Sequence, residues 1–213
     1  MDFIPSIPVL ASFAVACVVL AITPGPDMSL FLSRAISQGR GAGLACMFGA
    51  LTGVLVHTAM VALGLSALIV AAPVAFNALK LGGAGYLAWL AFDAIRNGSS
   101  LNLKTGPAKA RSLKANFLTG IGVNLLNPKI ILFFMTFLPQ FVSVGDPHAV
   151  GKFFFLGLMF NVISLPITVP MILAAHSMAD FLKRKPVVTR VIDWVFAGVF
   201  SAFAVRILMT PGR

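Results

Sequence analysis

The chain has 213 residues, of which 59% are hydrophobic and only 10% charged, and its mean hydropathy is +0.97. An ordinary soluble domain is about one quarter charged, so this composition excludes a water-soluble globular fold. The net charge of +10 does not signal nucleic acid, because the Lys and Arg residues sit in short connectors and not on one face of a soluble fold.

A membrane-spanning helix needs about 20 mostly apolar residues. Six runs of that kind follow one another: Pro8 to Leu32, Gly41 to Ala72, Val74 to Phe92, Ala115 to Leu138, Phe153 to Ala175 and Val187 to Met209. Their length and lack of alternation predict helices and exclude barrel strands, since backbone groups in hydrocarbon must bond within their own segment. The leader of the first run carries Asp2, no basic residue and no A-x-A-like cleavage site, so this run is expected to remain as span 1 and not to serve as a removable signal.

Span 1 contains Thr23-Pro24-Gly25-Pro26-Asp27. Two prolines that donate no backbone hydrogen bond, around a free glycine, predict a break into two half-helices, with Thr23 as N-cap and Pro24 as first residue of the second. Glycines 39, 41, 43, 49 and 53 lead through span 2. The Gly49-x-x-x-Gly53 pair favours close helix approach, within the subunit rather than in a homodimer, although either use is open to it. His57, near the middle of span 2, reads as a helix-to-helix hydrogen bond more readily than as a proton relay. Gly82, Gly83 and Gly85 open span 3. Asp93 and Arg96 at its end, like Arg190 and Asp193 at the start of span 6, are placed to pair at a membrane boundary. Lys80, Lys152 and Arg206 are expected to reach the interface, and His176 marks the inner end of span 5.

The polar stretch Arg96 to Lys114 divides the chain into two halves of three spans. This predicts one transmembrane domain over residues 1–213, with repeat 1 at about 1–95, a cytoplasmic linker at about 96–114 and repeat 2 at about 115–213. Three spans is an odd number, so the halves enter the membrane from opposite sides and form inverted repeats. Span 4 supports the pairing, because Asn127-Pro128 in it matches Thr23-Pro24 in span 1, with Lys129 and Asp27 close behind. Asn127 and Pro128 predict a second break with the same capping chemistry. Pro166 and Pro170 predict a kink in span 5. Three connectors carry eleven of the basic residues and the opposite side four, which places those connectors in the cytoplasm and both termini outside.

At 1.5 Å per residue, Asp27 lies about 10 Å inside the cytoplasmic edge and Lys129 roughly 22 Å inside. A charge at such depth costs roughly 2.5–3.5 kcal/mol on insertion scales and marks a cavity or a partner. The half-helix N-termini offer N–H groups and partial positive charge to an anion, and Asp27 suits an ammonium group or a transported proton. Together they match a zwitterion. Asp27 and Lys129 are expected to pair when nothing is bound, with Asn124 and Asn161 as further donors. Two cysteines, Cys17 and Cys46, form no CxxC motif; no metal site or cofactor is signalled.

Thr23-Pro24-Gly25-Pro26-Asp27, the glycine-rich start of span 2, Gly83-Ala84-Gly85-Tyr86-Leu87 and Asn124-Leu125-Leu126-Asn127-Pro128-Lys129 resemble the LysE/RhtB amino-acid exporters over nearly the whole chain. The resemblance implies secondary export of amino acids or their derivatives from the bacterial cytoplasm across the inner membrane, coupled to a proton or other ion gradient. It carries Asp27, Asn127, Pro128 and Lys129 over as site residues. An exporter of metal or other inorganic ions competes with this, but would favour clustered Cys, His or carboxylate ligands. From another class, a membrane thiol-disulfide carrier would act through Cys17 and Cys46. No H-E-x-x-H or G-x-S-x-G motif supports an intramembrane hydrolase.

Overall fold

The computed structural model describes residues 4–65, 73–98, 111–143 and 146–209. Among these there are helices and no strands. They are α1 (Ile7–Ile22), α2 (Pro26–Gln38), α3 (Arg40–Met60, extended by a π turn at Val61–Leu65), α4 (Pro73–Asn97), α5 (Leu113–Leu125) and α6 (Pro128–Leu132, extended by a π turn at Phe133–Phe137 and a 3-10 turn at Leu138–Phe141). Then come α7 (Ala149–Leu173), α8 (Ala175–Arg184) and α9 (Pro186–Met209).

Both predicted breaks are present. α1 and α2 meet at 49°, and α5 and α6 at 55°. Three helices, Arg40–Gly64, Ala149–Leu173 and Pro186–Val205, are long and apolar enough to cross a membrane alone, and the two bent pairs bring the number to five. α4 is 25 residues long, but Asn77, Lys80 and its three glycines dilute its apolarity, and the crossing expected there is not among the five. Large apolar side chains cover the outside: Trp89, Phe92, Leu118, Leu158, Val162 and Trp194 are each more than half exposed. In water such a surface would be a liability; in lipid it is the solvated face.

The tightest joint lies between the halves. α3 packs on α5 more extensively than any other pair, followed by α9 on α4. A Cβ on Gly49 would stand 2.0 Å from the Phe117 carbonyl oxygen, and one on Gly120 2.0 Å from that of Cys46, so the two backbones touch directly. Cys46 Sγ donates to the Asn116 carbonyl across the same seam at 3.2 Å. Gly49 thus serves packing within the chain.

Two apolar clusters form the described core. One is aromatic, built on Phe13, Phe133, Phe134, Phe137, Phe153, Phe160, Phe196 and Phe200. The other joins Met28, Phe31, Leu32, Met47, Ala50, Met171 and Ile172 to α8 through Ala175 and Leu182. α8 is an amphipathic helix that the hydropathy reading missed; it buries Ala175, Ala179 and Leu182 and exposes His176, Asp180 and Arg184. α7 runs as one helix with Pro166 and Pro170 inside it.

The boundary charges make further contacts at the ends of α4 and α9. Asp93 accepts from Asn97 Nδ2 at 2.6 Å, while the Arg96 guanidinium lies 6.0 Å from the Phe92 ring. Arg190 Nη1 donates to the Ala94 carbonyl at 3.5 Å, tying α9 to the end of α4, and Asp193 is buried there. The side chains of Lys80 and Arg206, and linker residues 99–110, lie outside the described residues.

Lys152 pairs with Asp146 before α7. The Lys152 ammonium foremost, with the His148 N–H, holds the Asp146 carboxyl below the usual carboxylate range. A depressed carboxyl contributes stability above its unfolded pKa, and this is lost as pH falls through the folded one. Asp146→Asn is therefore expected to lower the thermal midpoint in detergent at neutral pH, with the difference from wild type closing in acid.

Candidate functional site

The sequence dictates how the first break is built. A residue before proline is pushed out of the helical region, and here two such residues stand in a row. Thr23 is extended (φ −72°, ψ 121°) before Pro24, and Gly25 is extended before Pro26. The chain therefore leaves α1 at Thr23 and re-enters a helix only at Pro26. This corrects the expected cap: Gly25 is the N-cap of α2 and Pro26 its first residue, while Thr23 closes α1, its Oγ1 donating to the Val19 carbonyl at 2.6 Å. No side chain caps α2, so its first N–H groups face the break. The second break follows expectation. Asn127 is the N-cap of α6, its Oδ1 accepting from Lys129 N at 3.1 Å, with Pro128 first in the helix. That cap, and the bonds from Ile130 N and Ile131 N to the Asn127 carbonyl, occupy the N–H groups of this second start. Of the two anion seats expected, α2 offers the open one.

Between the breaks lies a cavity lined by residues of both the aromatic and the methionine-rich clusters. Thr23, Gly25, Asp27, Asn124, Asn127 and Lys129 all line it. Pro24, Pro26 and Pro128 shape the breaks without lining it. Asn161 stands outside, its Nδ2 donating to the Leu51 carbonyl at 3.2 Å and so tying α7 to α3.

Asp27 and Lys129 do not form the direct pair expected of them. Asn124 Nδ2 donates to Asp27 Oδ2 at 2.8 Å, and Lys129 Nζ donates to the Thr23 carbonyl at 2.7 Å. The reason is the geometry of the break: with Thr23 extended and Pro24 unable to continue the ladder, the Thr23 carbonyl is a free acceptor within reach of the lysine. The ammonium also lies 5.8 Å from the Phe196 ring centroid, a cation–π contact. Asp27 Oδ1 is buried with no hydrogen-bond partner.

Asn124 is the organiser of the acidic side. It is 1% exposed, and its side chain lies so close to Gly53 that a Cβ there would come within 2.6 Å of Asn124 Oδ1. Its carbonyl, which accepts from Asn127 N at 3.0 Å, also lies 3.4 Å from His57 Nε2, which donates to it. His57 is 2% exposed, stacks on Phe134 with 6.1 Å between ring centroids, and lies behind Asn124, outside the cavity lining. Its bond joins α3 to α5, as the sequence led one to expect.

Ser164 and Thr168 on α7 also line the cavity, and sequence reasoning passed over them. Their spacing of four, on one face of a helix that is mostly apolar, was the available signal. Cys17 and Cys46 belong to separate clusters and are both buried, an arrangement that offers no dithiol. Among the described residues, no three His, Cys, Asp or Glu side chains gather as metal ligands would.

Described residues that are helical without strands, with an apolar exterior and two bends around a cavity lined by an acid and a lysine, mark a multi-pass membrane protein. The family model of the LysE type translocators matches residues 18–210, and the chain belongs to that family. It is 28% identical over 189 residues to the homoserine/homoserine lactone efflux protein of Salmonella typhimurium, covering 89% of this chain and 90% of that one. It is also 28% identical over 196 residues to the leucine efflux protein of Klebsiella pneumoniae, covering 92% of each. No solved structure matches the chain.

Proposed function

We propose that the protein is a secondary active exporter that moves amino acids or close derivatives out of the bacterial cytoplasm across the inner membrane, in exchange for protons. One observation carries this reading: Asp27 and Lys129 line a single cavity without pairing to each other. A zwitterion satisfies both. Its ammonium meets Asp27 Oδ1, and its carboxylate meets Lys129 Nζ and the uncapped start of α2, where the helix dipole favours negative charge. Asp27 holds either the ammonium or a proton, and that exclusivity couples the two flows. The efflux proteins to which the chain is similar support the same reading.

In this reading the chain crosses the membrane six times, α4 included, as one domain of two inverted repeats with both termini outside. The joints of α3 on α5 and of α4 on α9 each unite a helix of one half with a helix of the other, so the bodies that rock are these crossed pairs. Cells loaded with dipeptides and overexpressing the protein are expected to release at least one free amino acid faster than empty-vector cells, with a protonophore abolishing release against a gradient. If no amino acid or derivative leaves faster than in the vector control, the reading fails.

A further inference from the structure

Resting on that reading, we infer that the α7 wall of the cavity, centred on Ser164 and Thr168, selects substrates by their side chain, admitting uncharged aliphatic, thioether or hydroxyl side chains and rejecting charged ones.

Asp27 and Lys129 lie at the breaks, so the backbone groups of a bound amino acid are held there and its side chain points to the remaining walls. Those walls come from Met28 and Phe31 on α2, Met47 and Ala50 on α3, and Ser164 and Thr168 on α7. None of these bears a charge. An ammonium or guanidinium entering this space would lose its hydration with no counter-charge to meet it, and a carboxylate would need donors.

The two hydroxyls cannot supply them. A hydroxyl has one hydrogen and two lone pairs. Ser164 Oγ donates to the Phe160 carbonyl at 2.7 Å, and Thr168 Oγ1 donates to the Ser164 carbonyl at 2.9 Å or to Met47 Sδ at 3.2 Å, so protein acceptors take both hydrogens. What each presents to the cavity is lone pairs. Thr168 Oγ1 also lies 3.2 Å from Met47 Sδ, which sets the methionine against α7 and fixes the width of the space. Ser164 is 4% and Thr168 8% exposed, so both side chains are largely buried. The wall therefore receives a side chain that is apolar or that brings its own donor. It offers nothing to one that needs to accept. The methionines bordering it adapt their shape to different alkyl chains.

Purified protein in liposomes, preloaded with one unlabelled amino acid and supplied with the same one labelled, reads each substrate by exchange. Leucine, methionine and homoserine are expected to exchange at least about tenfold faster than lysine or glutamate, the penalty for an unpaired buried charge. Thr168→Val removes the lone pairs and is expected to lower homoserine exchange about 2- to 10-fold relative to leucine, whereas Thr168→Ser keeps the wild-type ratio. Ser164→Ala provides a second reading of the same ratio if the valine variant does not fold. Lysine or glutamate exchanging as fast as leucine overturns the inference and leaves amino-acid export standing. A homoserine-to-leucine ratio unmoved by both Thr168→Val and Ser164→Ala also overturns it. Exchange of no amino acid at all overturns the proposed function instead.

Discussion

Asp27→Asn is expected to cut export roughly 10- to 150-fold, the loss of one hydrogen bond to a charged group at about 1.5–3 kcal/mol, while the protein stays folded and in the membrane. The new amide keeps a carbonyl oxygen for Asn124 Nδ2, which donates to Asp27 Oδ2 at 2.8 Å in the wild type, so the local structure survives. What disappears is the negative charge that an ammonium or a proton neutralises. In the proposed reading Lys129→Met removes the partner of the substrate carboxylate, and it is expected to cost a similar factor. Two partners in direct contact would rescue each other when both are replaced. Here Lys129 bonds to the Thr23 carbonyl and Asp27 to Asn124, so the double variant is expected to recover nothing. Initial rates of labelled substrate exchange, normalised to the amount of protein in the membrane, check all three. An Asp27→Asn protein working at the wild-type rate would remove Asp27 from the site.

The second large effect is on stability. Gly49→Ala and Gly120→Ala each put a methyl 2.0 Å from a backbone carbonyl oxygen of the facing helix. Backbone cannot turn aside as a side chain does, so α3 and α5 must separate. Overpacking of this kind costs about 1–3 kcal/mol, occasionally more, and each variant should lose several degrees of thermal midpoint in detergent. Gly122 on the same helix is the control. Nothing lies within 4 Å of a Cβ there, and Gly122→Ala should be neutral or slightly stabilising, because alanine is the better helix former. Once the helices have been forced apart, the second methyl adds less than the first. Equal midpoints for Gly49→Ala and Gly122→Ala would refute the direct backbone contact.

Much of this site could be read from the residue order because prolines and buried charges have few interpretations. Thr23-Pro24-Gly25-Pro26 and Asn127-Pro128 announce breaks, and Asp27 and Lys129 at depth announce a cavity. The cap at the first break was misplaced because Pro24 and Pro26 are both competent to start a helix, and only the tertiary structure chooses between them. The ion pair was misjudged for a similar reason: a sequence shows which charges are present but not which backbone carbonyl a break sets free. The α7 hydroxyls and the partnering of α3 with α5 were hidden by the solvent. In water an inward face is apolar and an outward face polar. In lipid both are apolar, so hydropathy no longer tells which side of a helix faces its neighbours.

The glycine seam between α3 and α5 bears on how the protein is made. Cys46 and Asn116, bonded across that seam, are 70 residues apart in the chain. As the polypeptide leaves the ribosome, α3 is inserted long before α5 exists, and its glycine face has no backbone to close against. Helices in lipid are individually stable before they associate, so the first half can wait in the bilayer as inserted but unassembled segments. Its final packing, and with it the placement of Asn124 beside Asp27, begins only when the second half arrives. Biogenesis of this transporter is thus a late assembly step, and a chain truncated before α5 would be membrane-integrated yet without a site.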